Sequence, residues 1–216
     1  MTENDKTPVY IRVGPLGQVP SYATAGSAGC DLFATAGLTL RPGETAVLPL
    51  DLVIATEPGI EAQVRPRSGL SLRTTLRLPN SPGTIDSDYR CDVGVLIQNT
   101  YSQAGLAEQI ILRPELAREL AENCSRTTLP AWLRQNGRDN EANKIEINLP
   151  ELATQTIWLD IKGNPYGTIY IQPGDRIAQL VFSRCLQADF IRHHRPEDIG
   201  ADRGGGFGST GTGGIA

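Results

Sequence analysis

Short runs with the two-residue alternation of β-strands are cut apart by glycine and proline along most of this chain. They read V-Y-I-R-V from residue 9, G-C-D-L-F-A from 29, T-A-V-L-P-L-D-L-V-I from 45, E-A-Q-V-R from 61 and D-V-G-V-L-I-Q-N from 92. The pattern returns in T-I-Y-I-Q-P-G-D-R-I-A-Q-L-V-F, residues 168–182. Runs this short, with P-G and A-G turns between them, cannot feed long helices and predict an all-β body of many short strands. The 23 glycines and 15 prolines among 216 residues supply the turns.

The stretch 101–167 breaks that rhythm. In I-L-R-P-E-L-A-R-E-L-A-E-N-C, residues 111–124, Leu112, Leu116 and Leu120 recur at every fourth position. That spacing predicts an amphipathic helix of about three turns with Pro114 in its first turn. A polar, Asn-rich stretch and a second apolar run ending in I-W-L-D-I follow, and both tryptophans, Trp132 and Trp158, fall in this block. A connection so long inside a compact domain reads as an insertion, partly helical, in a β body. The expected organisation is a core of 1–100 and 168–200, an insertion subdomain of 101–167 and a glycine-rich C-terminal segment of 201–216.

A net charge of -4 and a pI near 5.3 exclude a stable nucleic-acid scaffold, which needs a broad basic face, but leave room for a small anion held by a few local arginines. Cys30, Cys91, Cys124 and Cys185 are scattered without a C-x-x-C pair, which disfavours zinc or a disulfide framework and suggests reduced thiols. No apolar run approaches a membrane span or a signal-peptide core, so the expected location is cytoplasmic, or host cytoplasm for a viral or phage protein.

Chemistry concentrates in a few segments. N-S-P-G-T-I-D-S-D-Y-R-C-D, residues 80–92, turns at Pro82-Gly83 and gathers Asp86, Asp88 and Asp92 around Tyr89. Its plain reading is a polar hairpin; its sharper one is a carboxylate beside an aromatic ring, suited to take a proton from water. R-P-R-S-G-L-S, residues 65–71, offers arginines and serines fit for phosphate oxygens, or simply an exposed basic loop. The ending R-G-G-G-F-G-S-T-G, residues 203–211, lacks the lysine of a nucleotide-binding P-loop and by composition should not hold a shape unaided.

In order, A-G-S-A-G-C-D-L (25–32), R-P-R-S-G-L-S (65–71), N-S-P-G-T-I-D-S-D-Y (80–89), G-D-R-I-A-Q-L-V-F (174–182) and R-G-G-G-F-G-S-T-G (203–211) resemble the five motifs of the trimeric dUTPase family, the deoxyuridine triphosphate nucleotidohydrolases. The resemblance covers about residues 8–100 and 168–211 and is silent on the block between. It implies a β-jelly-roll, or β-clip, assembled as a homotrimer with shared active sites, and hydrolysis of dUTP to dUMP and pyrophosphate with Mg2+.

By the same resemblance Asp86 is the general base, and Tyr89 is the ring that packs under the deoxyribose. Asn80 and the hairpin from Gly83 through Thr84 and Ile85 form the uracil pocket. Arg67, Ser68, Gly69 and Gln179 contact phosphates. Asp31 supports the metal through water, with Mg2+ held mainly by the substrate phosphates. Arg203, Phe207, Gly208, Ser209 and Thr210 belong to a lid in which Phe207 stacks on uracil and Arg203 meets the γ-phosphate. One departure is Cys91, where many members of the family carry glycine.

Two other readings compete. The dCTP deaminase branch of the same fold places a glutamate ten positions after its I-D aspartate, and this chain has Leu96 there. Alternatively the insertion docks a protein partner, against the plainer reading of a decorative surface subdomain. His193 and His194, flanked by arginines, read as a solvated linker with no third metal ligand evident.

Overall fold

A computed structural model describes residues 6–202 of the chain. It divides into two compact units, Met1–Cys185 and Leu186–Ala216. The first carries all the strands named below, and the body is all-β as its alternation predicts.

The largest sheet is five-stranded and runs β2 (Ser21–Tyr22), β3 (Gly29–Phe33), β14 (Arg176–Arg184), β7 (Ile60–Arg65), β9 (Gly83–Ile85), every neighbouring pair antiparallel. A second sheet of three strands runs β5 (Thr45–Pro49), β10 (Gly94–Asn99), β8 (Leu76–Arg77), and the pairs β1 (Val9–Val13) with β6 (Leu52–Thr56) and β4 (Leu38–Leu40) with β13 (Ile169–Ile171) complete the body. Apart from β2 and β3, the neighbours in the body are non-consecutive in sequence, as in a jelly-roll. Alternate residues of these strands, among them Leu32, Leu48, Ile54, Val64, Val95, Ile97 and Leu180, fill one continuous core. The one short helix of the body, α1 (Ser68–Arg73), buries none of its residues.

The insertion has its own interior. An antiparallel ribbon of β11 (Ser125–Thr128) and β12 (Thr156–Leu159) sends Leu159 and Ile157 to a cluster with Trp132, Leu133 and Ala142, while Trp158 packs against a separate cluster of Leu106, Leu116 and Leu120. Helices α2 (Leu106–Leu112) and α3 (Glu115–Asn123) serve the second cluster. Helices α4 (Leu129–Gln135) and α5 (Asp139–Asn148) serve the first, with α6 (Pro150–Ala153) beside them. Arg134 of α4 reaches Glu146 of α5 at 2.6 Å and Asn143 at 2.9 Å.

The single helix expected over 111–124 is therefore two. Proline disfavours helical angles in the residue before it, and Arg113 turns away at φ -140°, ψ 81°, ending α2 one residue before Pro114 caps α3. Leu116 and Leu120 are buried as expected, whereas Leu112, left on the far side of the break, is 82 % exposed.

Both ends of the insertion meet at one buried side chain. Asn99, fully enclosed at the end of β10, donates from Nδ2 to the carbonyls of Leu40 (3.0 Å) and Gly167 (2.8 Å), and accepts at Oδ1 from Tyr101 N–H (3.0 Å) and Thr75 Oγ1 (2.7 Å). Gly167 sits at φ +91°, and a Cβ there would lie 2.1 Å from the Tyr101 ring, so only glycine fits. A second amide works as a false strand: Gln103 accepts from Trp158 N–H and donates to the Trp158 and Tyr166 carbonyls, holding β12 to the insertion's first residues.

In the second unit, Arg195 pairs with Glu197 and Asp198 around a single 3₁₀ turn, Pro196–Asp198, and its N–H is accepted by His193 Nδ1.

Candidate active site

The alternation of β3 sends Cys30 and Leu32 into the core and leaves Asp31 on the opposite face. Antiparallel register then puts Asp31 opposite Gln179 of β14, and Gln179 opposite Arg65 of β7. Directly opposed residues on one face are close enough to interact, so a polar row crosses three strands. Asp31 is the centre of a charged network there: Oδ1 lies 2.8 Å from Arg67 Nε and Oδ2 3.3 Å from Arg176 Nη1. Arg67 also donates to the Arg176 carbonyl at 3.3 Å, and Gln179 Nε2 donates to the Pro66 carbonyl at 2.9 Å.

The result fixes the segment Pro66-Arg67 just ahead of α1, with Ser68 exposed as the helix's first residue and Gly69 next. One carboxylate against two guanidiniums leaves the cluster locally cationic, as a phosphate site requires. A Cβ at Gly29 would meet Gln179 Oε1 at 2.6 Å and push that side chain aside. Beneath this row burial pushes the Cys30 thiol above its ordinary value, and the group donates to the Leu180 carbonyl, so it stays protonated at neutral pH.

A second cluster forms on the edge strand of the same sheet. In β9, paired with β7, Gly83 and Ile85 are buried while Thr84 and the next residue, Asp86, are exposed. Asn80 Nδ2 lies 3.0 Å from where a Gly83 Cβ would be, so glycine permits the close approach of that amide to the strand. The hairpin then tightens: Asp86 accepts through its carbonyl from Tyr89 N–H, and Tyr89 O–H donates to the Asp92 carbonyl at 3.0 Å. Arg90 clamps the turn from within by donating to the carbonyls of Ser87 and Tyr89. Fixing the turn this way leaves the Asp86 carboxylate exposed and without a hydrogen-bond or ion-pair partner among the described residues, next to a partly exposed Tyr89 ring. Cys91 is a free, exposed thiol at the same turn.

The predicted residues thus fall into two groups on one sheet: Asp31, Arg67, Ser68, Gly69 and Gln179, and separately Asn80, Gly83, Thr84, Ile85, Asp86 and Tyr89. Among the described residues no hydrogen bond or ion pair joins Asp86 to the first group. Arg203, Phe207, Gly208, Ser209 and Thr210 lie outside the described residues. Arg176 was missed from sequence; its place in G-D-R was the available signal, and in the structure it borders the bulge where β14 shifts register against β3. Leu96, at the position of the deaminase glutamate, faces Val47 across β10 and β5 and offers no proton-transfer group. Among the described residues no group of three or more His, Cys, Asp or Glu side chains is arranged to hold a metal ion.

Residues 17–104 match the dUTPase family model. A deoxyuridine 5'-triphosphate nucleotidohydrolase from Anaeromyxobacter sp. (strain Fw109-5) is 42 % identical over 126 residues, spanning 53 % of this chain and 86 % of its own length. Among solved structures, the Staphylococcus bacteriophage 80alpha dUTPase with dUPNHPP superposes with a TM-score of 0.65 at 20 % identity, covering 95 % of this chain and 99 % of that one. A mutant dUTPase from phage phi11 of S. aureus, described with a structural Mg(II) ion, superposes at 0.58 and 21 % identity over 88 % of this chain and 99 % of that one. The structural likeness carries the fold, and the sequence likeness carries the kinship: the chain belongs to the dUTPase family.

Proposed function

We propose that this chain hydrolyses dUTP to dUMP and pyrophosphate, with Asp86 as the general base for the water that attacks the α-phosphorus. The observation that carries the reading is the Asp86 carboxylate, exposed and unpartnered among the described residues on a turn that the Tyr89 hydroxyl and the Arg90 guanidinium tie to backbone carbonyls. A carboxylate held free on a rigid turn can accept a proton from water without first breaking a bond to the protein. Tyr89, with its hydroxyl tethered to Asp92, presents its ring to the deoxyribose, where a 2′-hydroxyl would not fit. Asn80 and the backbone of residues 83–85 read the uracil edge. Cytosine is rejected strongly, because exchanging donor for acceptor strands buried polar groups.

Arg67, Ser68, Gly69 and Gln179 hold the phosphate chain. Most of the rate enhancement then comes from placing charge where negative charge develops. Asp31 fits an outer role for Mg2+: both of its oxygens are already engaged by arginine, so it supports a metal through water, and the ion is held chiefly by the substrate phosphates. When bound there, Mg2+ supplies neutralisation of phosphate charge. Arg203, Ser209 and Thr210 meet the phosphates and Phe207 covers the base.

Membership of the dUTPase family supports a homotrimer in which each site combines groups from different subunits. Such an enzyme keeps uracil out of DNA and supplies dUMP for thymidylate synthesis, a cytoplasmic task. Among the described residues no helix is long and apolar enough to cross a membrane. A protein partner is the second reading for the insertion, favoured only by its separate interior. Product analysis with each deoxynucleoside triphosphate, with and without Mg2+, tests the assignment: dUMP and pyrophosphate from dUTP alone is the expected result, and ammonia released from dCTP would replace hydrolysis with deamination.

A further inference from the structure

Helix α1 poses a mechanical question, since it carries Ser68 and Gly69 yet none of its six residues is buried and Leu72 is 86 % exposed. Only Leu70 packs partly against the body core. A helix without a buried face is not placed by packing, so it is placed by its ends. Its leading end is held by the Arg67, Asp31 and Arg176 network described above. Its trailing end is held by two threonines. Thr74 donates through both N–H (3.0 Å) and Oγ1 (2.7 Å) to the Leu70 carbonyl, closing the last turn. Thr75 donates from Oγ1 to Asn99 at 2.7 Å, and its carbonyl accepts from Thr100 N–H (3.0 Å) and Thr100 Oγ1 (2.9 Å).

We propose that Asn99 is a positioning residue for the triphosphate: through Thr75 it sets the trailing end of α1 and hence the place of Ser68, while the same side chain gathers the two ends of the insertion. The assignment rests on the reading of Ser68 as a phosphate contact. Six residues of helix span about 9 Å, short enough for a shift at one end to move the other as a rigid piece. All four hydrogen-bonding capacities of the Asn99 amide are filled by groups from four different segments, near Leu40, Thr75, Tyr101 and Gly167. Displacing the neck of the insertion at Tyr101 or Gly167 therefore draws on the same amide that holds Thr75. Uracil recognition is built on residues 80–89 of the edge hairpin, which β8 and its pairing with β10 separate from the Thr75 hydroxyl.

Thr75→Val removes the one hydroxyl while keeping the side chain's shape. In the full-length chain the expected outcome is a KM for dUTP raised about three- to ten-fold, the worth of one lost hydrogen bond, with kcat within about two-fold and inhibition by deoxyuridine unchanged. Thr75→Ser, which keeps the hydroxyl, restores the native KM. A folded Thr75→Val protein with native KM, or one that loses dUTP and deoxyuridine affinity equally, overturns the proposal. If that variant does not fold, Thr100→Val removes the hydroxyl half of the paired bond to the Thr75 carbonyl and leaves the N–H half: a KM rise confined to dUTP supports the joint and an unchanged KM overturns it. Wild-type protein releasing no pyrophosphate from dUTP would instead sink the functional reading, a separate outcome from a working enzyme whose variants show no split.

Discussion

The β body and the insertion solve the same burial problem in opposite ways. The body joins residues from Cys30 to Leu180 in one core, so almost every strand depends on partners far along the chain. The insertion divides its apolar residues between two small clusters on either side of one ribbon, neither continuous with the body core. Two small cores bury less apolar surface per residue ordered than one large core, and each is correspondingly marginal. What the insertion lacks in burial it recovers in polar ties at its base, at Asn99 and Gln103. The insertion belongs to the same compact unit as the body, yet its interiors are its own.

That contrast can be broken in graded steps. The largest expected effect is chemical and confined to the body: Asp86→Asn lowers kcat by about 10²- to 10⁴-fold with dUTP binding retained. Single-turnover rates and equilibrium binding measure it, and a normally active Asp86→Asn enzyme would remove the proposed base. Next comes packing. Ile97→Ala, at a fully buried body position, costs about 2–5 kcal/mol and lowers the unfolding midpoint of the whole body. Leu120→Ala, buried as deeply in the insertion, is expected to loosen residues 106–124 in hydrogen exchange while dUTP turnover persists. Equal loss of activity in the two variants would show that the two regions unfold as one.

A smaller effect separates them by pH. Burial first, then the hydrogen bond to Glu119, pushes Tyr166 from its ordinary 10.0 to about 12. A group whose folded value is raised gives its full stabilisation below the unfolded value and loses it as pH climbs to the folded one. The insertion should therefore weaken between pH 10 and about 12, and Tyr166→Phe should flatten that dependence in a tryptophan-fluorescence titration. An unchanged profile would remove Tyr166 as the cause. Smallest is the effect of excision: replacing residues 102–166 by a short glycine turn, with Tyr101 and Gly167 kept on Asn99, should leave kcat/KM for dUTP within a few-fold. A large loss would show that the insertion contributes to turnover directly.

The body was readable in advance because two-residue alternation is a local signal, and the strands follow it from Val9 to Arg184. The hairpin that carries Asp86 was readable for the same reason, lying within one short segment, whereas the role proposed for its carboxylate came from the resemblance of the motifs. What could not be read was what the segments do to one another. Asp31 appeared as a metal support, and only the register of β3 against β14 reveals two arginines already bound to its oxygens. In the insertion a four-residue leucine spacing ran unbroken through Pro114, and the steric cost ahead of that proline outweighed the pattern. The ribbon of β11 and β12 was hidden because S-R-T-T carries no alternation and its partner lies beyond three helices.

Asn99 also has a consequence for how the chain reaches its native state. Strands β13 and β14 must find β4, β3 and β7 across the intervening insertion, and closing a loop costs more as its length grows, about 0.6 kcal/mol for each doubling. An insertion that folds locally, from neighbouring helices and a ribbon, brings Tyr101 and Gly167 together before the body closes. The search then runs over a chain that is effectively shorter than its residue count, and the extra length slows assembly less than its position in the sequence implies.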